Sequence, residues 1–175
     1  IIKNIIIGFP EHHIILVVNS ALSDLNLEFQ GYLDYKNVSY IKWYAPSPFD
    51  YVSGNNTRNK LACYLKSYTY GSLNPDIILI TSFFEGYSDN CLVDFDYDFI
   101  KVPVVSIFYD LIPLINPDSY LRRNPGFKKF YMSKIKKIKK VDGLLAISNS
   151  SAQEAVNYLK IDSSKVYNIS SGCDK

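Results

Sequence analysis

Apolar residues recur along this chain in two rhythms. Short β-branched or aliphatic runs, His13 to Asn19 (HIILVVN), Ser39 to Tyr44 (SYIKWY), Asp76 to Ile80 (DIILI), Val102 to Phe108 (VPVVSIF), Gly143 to Ile147 (GLLAI) and Lys165 to Ile169 (KVYNI), have the length and content of strands. Between them lie stretches with apolar residues at helical spacing: Ser20 to about Gly31 with Ser20 as cap, Thr57 to about Gly71 with Thr57 as cap, the basic segment after Arg122, and Asn149 to Leu159. Ile2, Ile5, Ile6 and Phe9 also fall three and four apart, which favours a helix there, although the β-branched run competes as a strand. Ala45 to Thr57 (APSPFDYVSGNNT) is rich in turn formers and reads as loop. Strands alternating with helices at this spacing predict an α/β fold: a Rossmann-like, mostly parallel sheet with helices on both faces.

In such sheets ligands bind in the crevice outside the carboxyl ends of the strands, so polar residues just beyond each run are the first candidates. The run from Val102 breaks at Tyr109-Asp110, and Pro113 forbids a continuing ladder after Leu111-Ile112. Asp110 is the better catalytic candidate. A phenol is a poor general base near neutrality, so Tyr109 is better suited to donating a hydrogen bond or offering its ring for stacking. A turn-capping role for Asp110 is the competing structural explanation. After DIILI come Ser82, Glu85, Gly86 and Tyr87, candidates to line the same crevice, Gly86 by admitting a ligand close to the backbone. Ser148-Asn149-Ser150-Ser151, after GLLAI, is the third contributor, although helix capping by Ser148 or Asn149 is its first expected job.

Length and composition narrow the classes. With 175 residues, 47% of them hydrophobic, the chain can bury one substantial core and reads as one domain. A net charge of +2, without an RNP-like, helix-turn-helix or zinc pattern, gives no case for nucleic acid. Three widely spaced cysteines, Cys63, Cys91 and Cys173, fit a reducing compartment without a disulfide framework, which points to the cytoplasm. No run of 18 apolar residues occurs, and the apolar start has neither the length of a membrane span nor a signal-peptide cleavage pattern.

Charge is unevenly spread. Glu85, Asp89, Asp94, Asp96 and Asp98 occur without a Lys or Arg among them. Asp94-Phe95-Asp96 has the D-x-D spacing that suits a hard cation, but three residues recur by chance, and a solvated acidic loop is the simpler expectation; no metal site is assigned. From Arg122 to Lys140 nine cations follow with no acid between them, while Phe127, Phe130, Tyr131, Ile135 and Ile138 mark one apolar face. That face is best buried against the sheet with the lysines outward, leaving a cationic surface able to meet an anionic membrane. His12 and His13 point to opposite faces of extended chain and do not make a metal pair.

The motifs FYDLIPL, KKVDGLLAISNSSAQEAVNYL, KVYNISSGCD, NPDIILITSFFEGYSDN and PEHHIILVVN, in this chain order, resemble the N-terminal half of a GT-B glycosyltransferase of family 4, the retaining type 1 class. The resemblance implies that residues 1–169 are the acceptor-side Rossmann-like domain and that 170–175 begin an interdomain linker. It also implies that the donor-binding domain, which has no counterpart here, would be needed for turnover. A first strand and the Gly-rich loop after it would lie before Ile1, leaving the sheet without a central member. Members commonly carry His-Asp where this chain has Tyr109-Asp110, and they share the Glu85-Gly86 pair. The function implied is transfer of a sugar from a sugar nucleotide (UDP- or GDP-sugar) to a glycan or glycolipid acceptor, as in building a surface polysaccharide. No cofactor is expected on this segment, and the isolated chain should be inactive. A non-catalytic Rossmann-like module recognising a glycan or small ligand is the alternative. The expected place is the cytoplasm, with Arg122–Lys140 facing the inner side of the membrane.

Overall fold

The computed structural model describes residues 2–21, 30–96 and 99–170. Helix α1 (Ile2–Gly8) follows the isoleucine spacing and buries Ile6. Strand β1 (Ile14–Asn19) pairs in parallel with β2 (Val38–Trp43), from Ile14 opposite Val38 to Asn19 opposite Trp43. The helix expected from Ser20 lies largely outside the described residues; Gln30–Tyr32 form a 3-10 turn. Helix α2 (Asn56–Leu73) leads to β3 (Ile78–Ile80), and a long loop reaches β4 (Val104–Phe108). Two short helices, α3 (Ile112–Ile115) and α4 (Pro117–Tyr120), precede the basic helix α5 (Pro125–Ile138). Strand β5 (Gly143–Ala146), helix α6 (Asn149–Glu154), a π turn over Ala155–Leu159 and strand β6 (Val166–Asn168) complete the described chain.

The expected α/β, Rossmann-like architecture with parallel pairing and helices on both faces is present. The sheet is not continuous, however. Among the described residues β1 and β2 form one two-stranded unit, and β3-β4-β5-β6 a second, entirely parallel one. Interior β4 follows the rule that strands covered on both faces lack polar alternation: four of its five residues are buried. The strand begins two residues later than the sequence pattern suggests, because Pro103 cannot donate and Val102 stays outside the ladder.

The main core gathers Val104, Phe108, Leu144, Ala146, Leu111, Leu121 and the apolar face of α5. Asn124 starts α5 by accepting the Phe127 N–H at 2.9 Å, with Pro125 at the position where a missing N–H costs nothing. The outward placement of lysines holds for Lys128, Lys129, Lys136, Lys139 and Lys140 but not for Lys134, whose side chain is 4% exposed. A smaller cluster of Trp43, Ala45, Phe49 and Ala62 supports the two-stranded unit. Helix α2 starts at Asn56 after an Asn55 cap without a side-chain bond, not at Thr57, and it leaves Leu61, Leu65 and Tyr68 exposed.

Candidate functional site

Parallel pairing puts the carboxyl ends of β3, β4 and β5 on one edge: Ile80 lies opposite Ser106, and Phe108 opposite Ala146. Every candidate therefore leaves the sheet at that edge, Ser82 to Tyr87 after β3, Tyr109 and Asp110 after β4, Ser148 after β5. The tightest grouping is between the last two. Ser148 Oγ caps α6 by accepting the Ser151 N–H at 3.1 Å and lies 2.9 Å from Ser151 Oγ. Ser151 Oγ donates to the Tyr109 carbonyl at 2.5 Å, and Glu154 Oε2 accepts the Leu111 N–H at 2.8 Å. One face of α6, residues three apart, thus holds the backbone on both sides of Asp110.

Asp110 Oδ1 accepts the Ile112 N–H at 3.0 Å, so the capping role is real. Its Oδ2 accepts no hydrogen bond among the described residues, which leaves one oxygen for a ligand. Tyr109 is 47% exposed. Buried beneath lies Tyr131, whose hydroxyl is the one buried side-chain polar atom without a hydrogen-bond partner among the described residues. Burial, then the charges of Asp110 and Glu154, push its ionisation well above the ordinary phenol range. Sequence reading points to the Ser148 to Ser151 run but not to Glu154 or Tyr131. A Glu one turn beyond Ser151 is the only local signal for Glu154.

The loop after β3 is built differently. Ser82 Oγ donates to Glu85 Oε1 at 2.7 Å, so both face the edge but satisfy one another. Gly86 has φ of +98°, and a Cβ there would sit 2.5 Å from the Cys91 carbonyl oxygen. The loop's own backbone therefore requires this glycine, rather than close approach of a ligand. Tyr87 turns toward α5: its hydroxyl donates to Asn124 Oδ1 at 3.2 Å and its ring packs on Phe127, Phe130 and Tyr51. Ser82 and Glu85 share the strand-end edge with Asp110, while Gly86 and Tyr87 sit to one side.

The acidic loop is not simply solvated. Asp94 is 9% exposed and receives Lys134 Nζ at 3.1 Å and Lys137 Nζ at 2.6 Å. Burial alone would raise its pKa, but the two ammonium groups outweigh that and hold it below the usual value. Lys66 is buried and its Nζ donates to the Leu92 carbonyl at 2.5 Å, and burial brings its pKa down to about 7. Asp94 is thus committed to lysines, and no group of His, Cys, Asp and Glu able to hold a metal ion occurs among the described residues. Asp98 and Cys173 lie outside them; Cys63 and Cys91 are free thiols. No helix among the described residues is long and apolar enough to cross a membrane.

Comparison with known proteins adds what geometry cannot. Three Escherichia coli proteins, each described as serotype-specific mannosyltransferase WbdA, are 33% identical to this chain over 174 residues, 97% of its length. The chain spans about a fifth of them, 20 to 21% of their length. Identity at this level along nearly the whole chain makes it homologous to a portion of a glycosyltransferase. No family profile and no solved structure matches the chain.

Proposed function

We propose that this chain is the acceptor-side domain of a retaining GT-B glycosyltransferase of family 4, one that moves mannose from a sugar nucleotide to a glycan or glycolipid acceptor. The observation that carries the reading is the homology to mannosyltransferases over 97% of the chain, on a fold whose strand ends gather polar residues at one edge. In this reading the free oxygen of Asp110 accepts a hydrogen bond from an acceptor hydroxyl, Tyr109 stacks on a sugar ring, and Ser82 and Glu85 add polar contacts along the edge. Tyr87, Gly86 and Ser148 support the walls. The sugar nucleotide, a UDP- or GDP-sugar, belongs to a second domain, so the isolated chain binds acceptor without turning over donor. The solvated lysines of α5 give the assembled enzyme a face toward an anionic membrane.

The test is ligand-observed NMR on the 175-residue chain with a short mannose oligosaccharide and with GDP-mannose. Saturation transfer to the oligosaccharide, lost in Asp110→Asn without a change in the circular dichroism spectrum, is the expected result. Binding of GDP-mannose alone, or an Asp110→Asn chain that binds the oligosaccharide unchanged, rejects the assignment.

A further inference from the structure

The chain forms a recess of about 170 Å³ lined by Gly86, Leu92 and Asp94, by Asn56 and Asn59 of α2, and by Lys134 and Lys137 of α5. We infer that this recess is a binding site for a small oxyanion, a phosphate group, held by the ammonium groups of Lys134 and Lys137.

Charge is the first argument. The ammonium groups of Lys134 and Lys137 both line the recess, and Asp94, which lines it too, is the carboxylate that touches them both. The loop's other nearby acids are turned to their own surroundings: Asp89 accepts the Gly86 and Cys91 N–H groups at 3.2 and 2.8 Å, and Glu85 accepts from Ser82. One carboxylate supplies one charge, so the cluster keeps a positive excess in a site where burying uncompensated charge is costly. An anion in the recess would relieve it.

Donor inventory is the second. An ammonium offers three N–H groups, and each of these lysines has one described hydrogen-bond acceptor. Lys134 and Lys137 line the recess, so their remaining donors have room to converge on a ligand oxygen. Third, the recess abuts the N-terminus of an 18-residue helix whose cap residue, Asn55, makes no side-chain bond, so the helix dipole adds to the lysine field. The size admits a phosphate group.

The inference does not depend on glycosyl transfer. It is tested by titrating the 175-residue chain with inorganic phosphate and with methyl phosphate at ionic strength held constant with sodium chloride, following amide chemical shifts. Saturable shifts at Gly86, Leu92, Lys134 and Lys137 in the millimolar range are expected. Lys137→Gln, at a side chain 41% exposed, should weaken binding at least tenfold while the remaining spectrum persists. Asn56→Asp, at an exposed position of a helix N-terminus where a carboxylate is tolerated, should do the same by filling the recess with negative charge. Tighter binding of methyl phosphate identifies an esterified phosphate, such as one carried by an acceptor; tighter binding of inorganic phosphate identifies the free ion. Equal shifts with chloride, shifts confined to Tyr109 and Asp110, or unchanged affinity in both variants overturns the site.

Discussion

Strands β3 to β6 form one parallel sheet whose interior strand β4 is buried at four of its five residues, whereas among the described residues β1 and β2 pair only with each other and bury three, Leu16, Asn19 and Trp43. A two-stranded unit is marginal on its own, so the smaller sheet must draw its stability from what it leans on. What it leans on is α2 and the loop between β3 and β4. Val17 of β1 and Leu92 of the loop both pack against the cluster that contains Trp43 of β2 and Ala62 of α2, and Ser67 Oγ accepts the Asp96 N–H at 2.8 Å. Polar candidates for function sit on the larger sheet, whose backbone is over-determined. The contrast says that rigidity and the proposed chemistry coincide, while the smaller sheet is attached.

The largest effect should come from truncating the larger core. Phe108, 1% exposed, lies at the end of β4, and Phe108→Ala is expected to cost about 3–5 kcal/mol and to lower amide protection throughout the chain. Trp43→Ala removes a larger ring from a cluster of four buried residues, yet its loss of protection should be confined to β1, β2 and α2. Uniform loss in both variants would show the two sheets to be one cooperative unit. Trp43 is the chain's one tryptophan, so its fluorescence in urea should change before the far-ultraviolet signal if the smaller sheet opens first.

Next in size is the junction. Asp94→Asn leaves Lys134 buried beside an uncharged amide, and stability should fall by about 3 kcal/mol near pH 7. Because the lysines hold the Asp94 carboxyl below its ordinary value, the paired stabilisation is complete above about pH 4 and is lost as pH falls through the folded-state pKa. The variant should therefore show a flatter acid limb than the wild type; parallel limbs would mean that Asp94 is not the acid-sensitive group. Lys66 works in the opposite direction. Burial lowers its pKa to about 7, so between there and its unfolded value of 10.5 the unfolded chain holds more protons, and stability rises with pH. Lys66→Met should flatten that rise between about pH 7 and 8.5. Above this window the thiols of Cys63 and Cys91, both raised by burial, act the other way.

How much of this was legible follows from which forces are local. Strand runs and helix starts show in the sequence because pattern and capping are short-range: Ile14–Asn19, Gly143–Ala146 and the Ser148 cap each follow from a few neighbours. The strand-end candidates were legible too, since parallel topology fixes the edge at which Ser82, Asp110 and Ser148 emerge. Pairing across 40 residues was not. Asp94 meets Lys134 and Lys137 from a segment that reads as a solvated acidic loop, and both charge runs lose part of their solvent exposure to that contact. Gly86 reads in the sequence as room for a ligand, whereas the atom that leaves no space for a Cβ is the Cys91 carbonyl oxygen, a neighbour within its own loop that no local pattern announces. The break between the sheets had no signature in periodicity, because each strand looks alike whether or not its neighbour is present.

The smallest expected effect bears on the site itself. Glu154 and Ser151 fasten the Tyr109–Leu111 turn to α6 by one hydrogen bond each, at 2.8 and 2.5 Å. A net hydrogen bond contributes about 1 kcal/mol, so Glu154→Gln, which keeps an acceptor oxygen, should leave global stability nearly unchanged, and Glu154→Ala should lose roughly that amount. The informative readout is local: faster exchange of the Leu111 amide in Glu154→Ala, with β1 and β2 untouched. If Asp110 owes its orientation to this clamp, Glu154→Ala should also weaken acceptor binding while Glu154→Gln restores it. Equal exchange at Leu111 in both variants would place the turn's rigidity in the Leu111 side chain, which is fully buried, and would leave α6 as a neighbour of the site rather than its support.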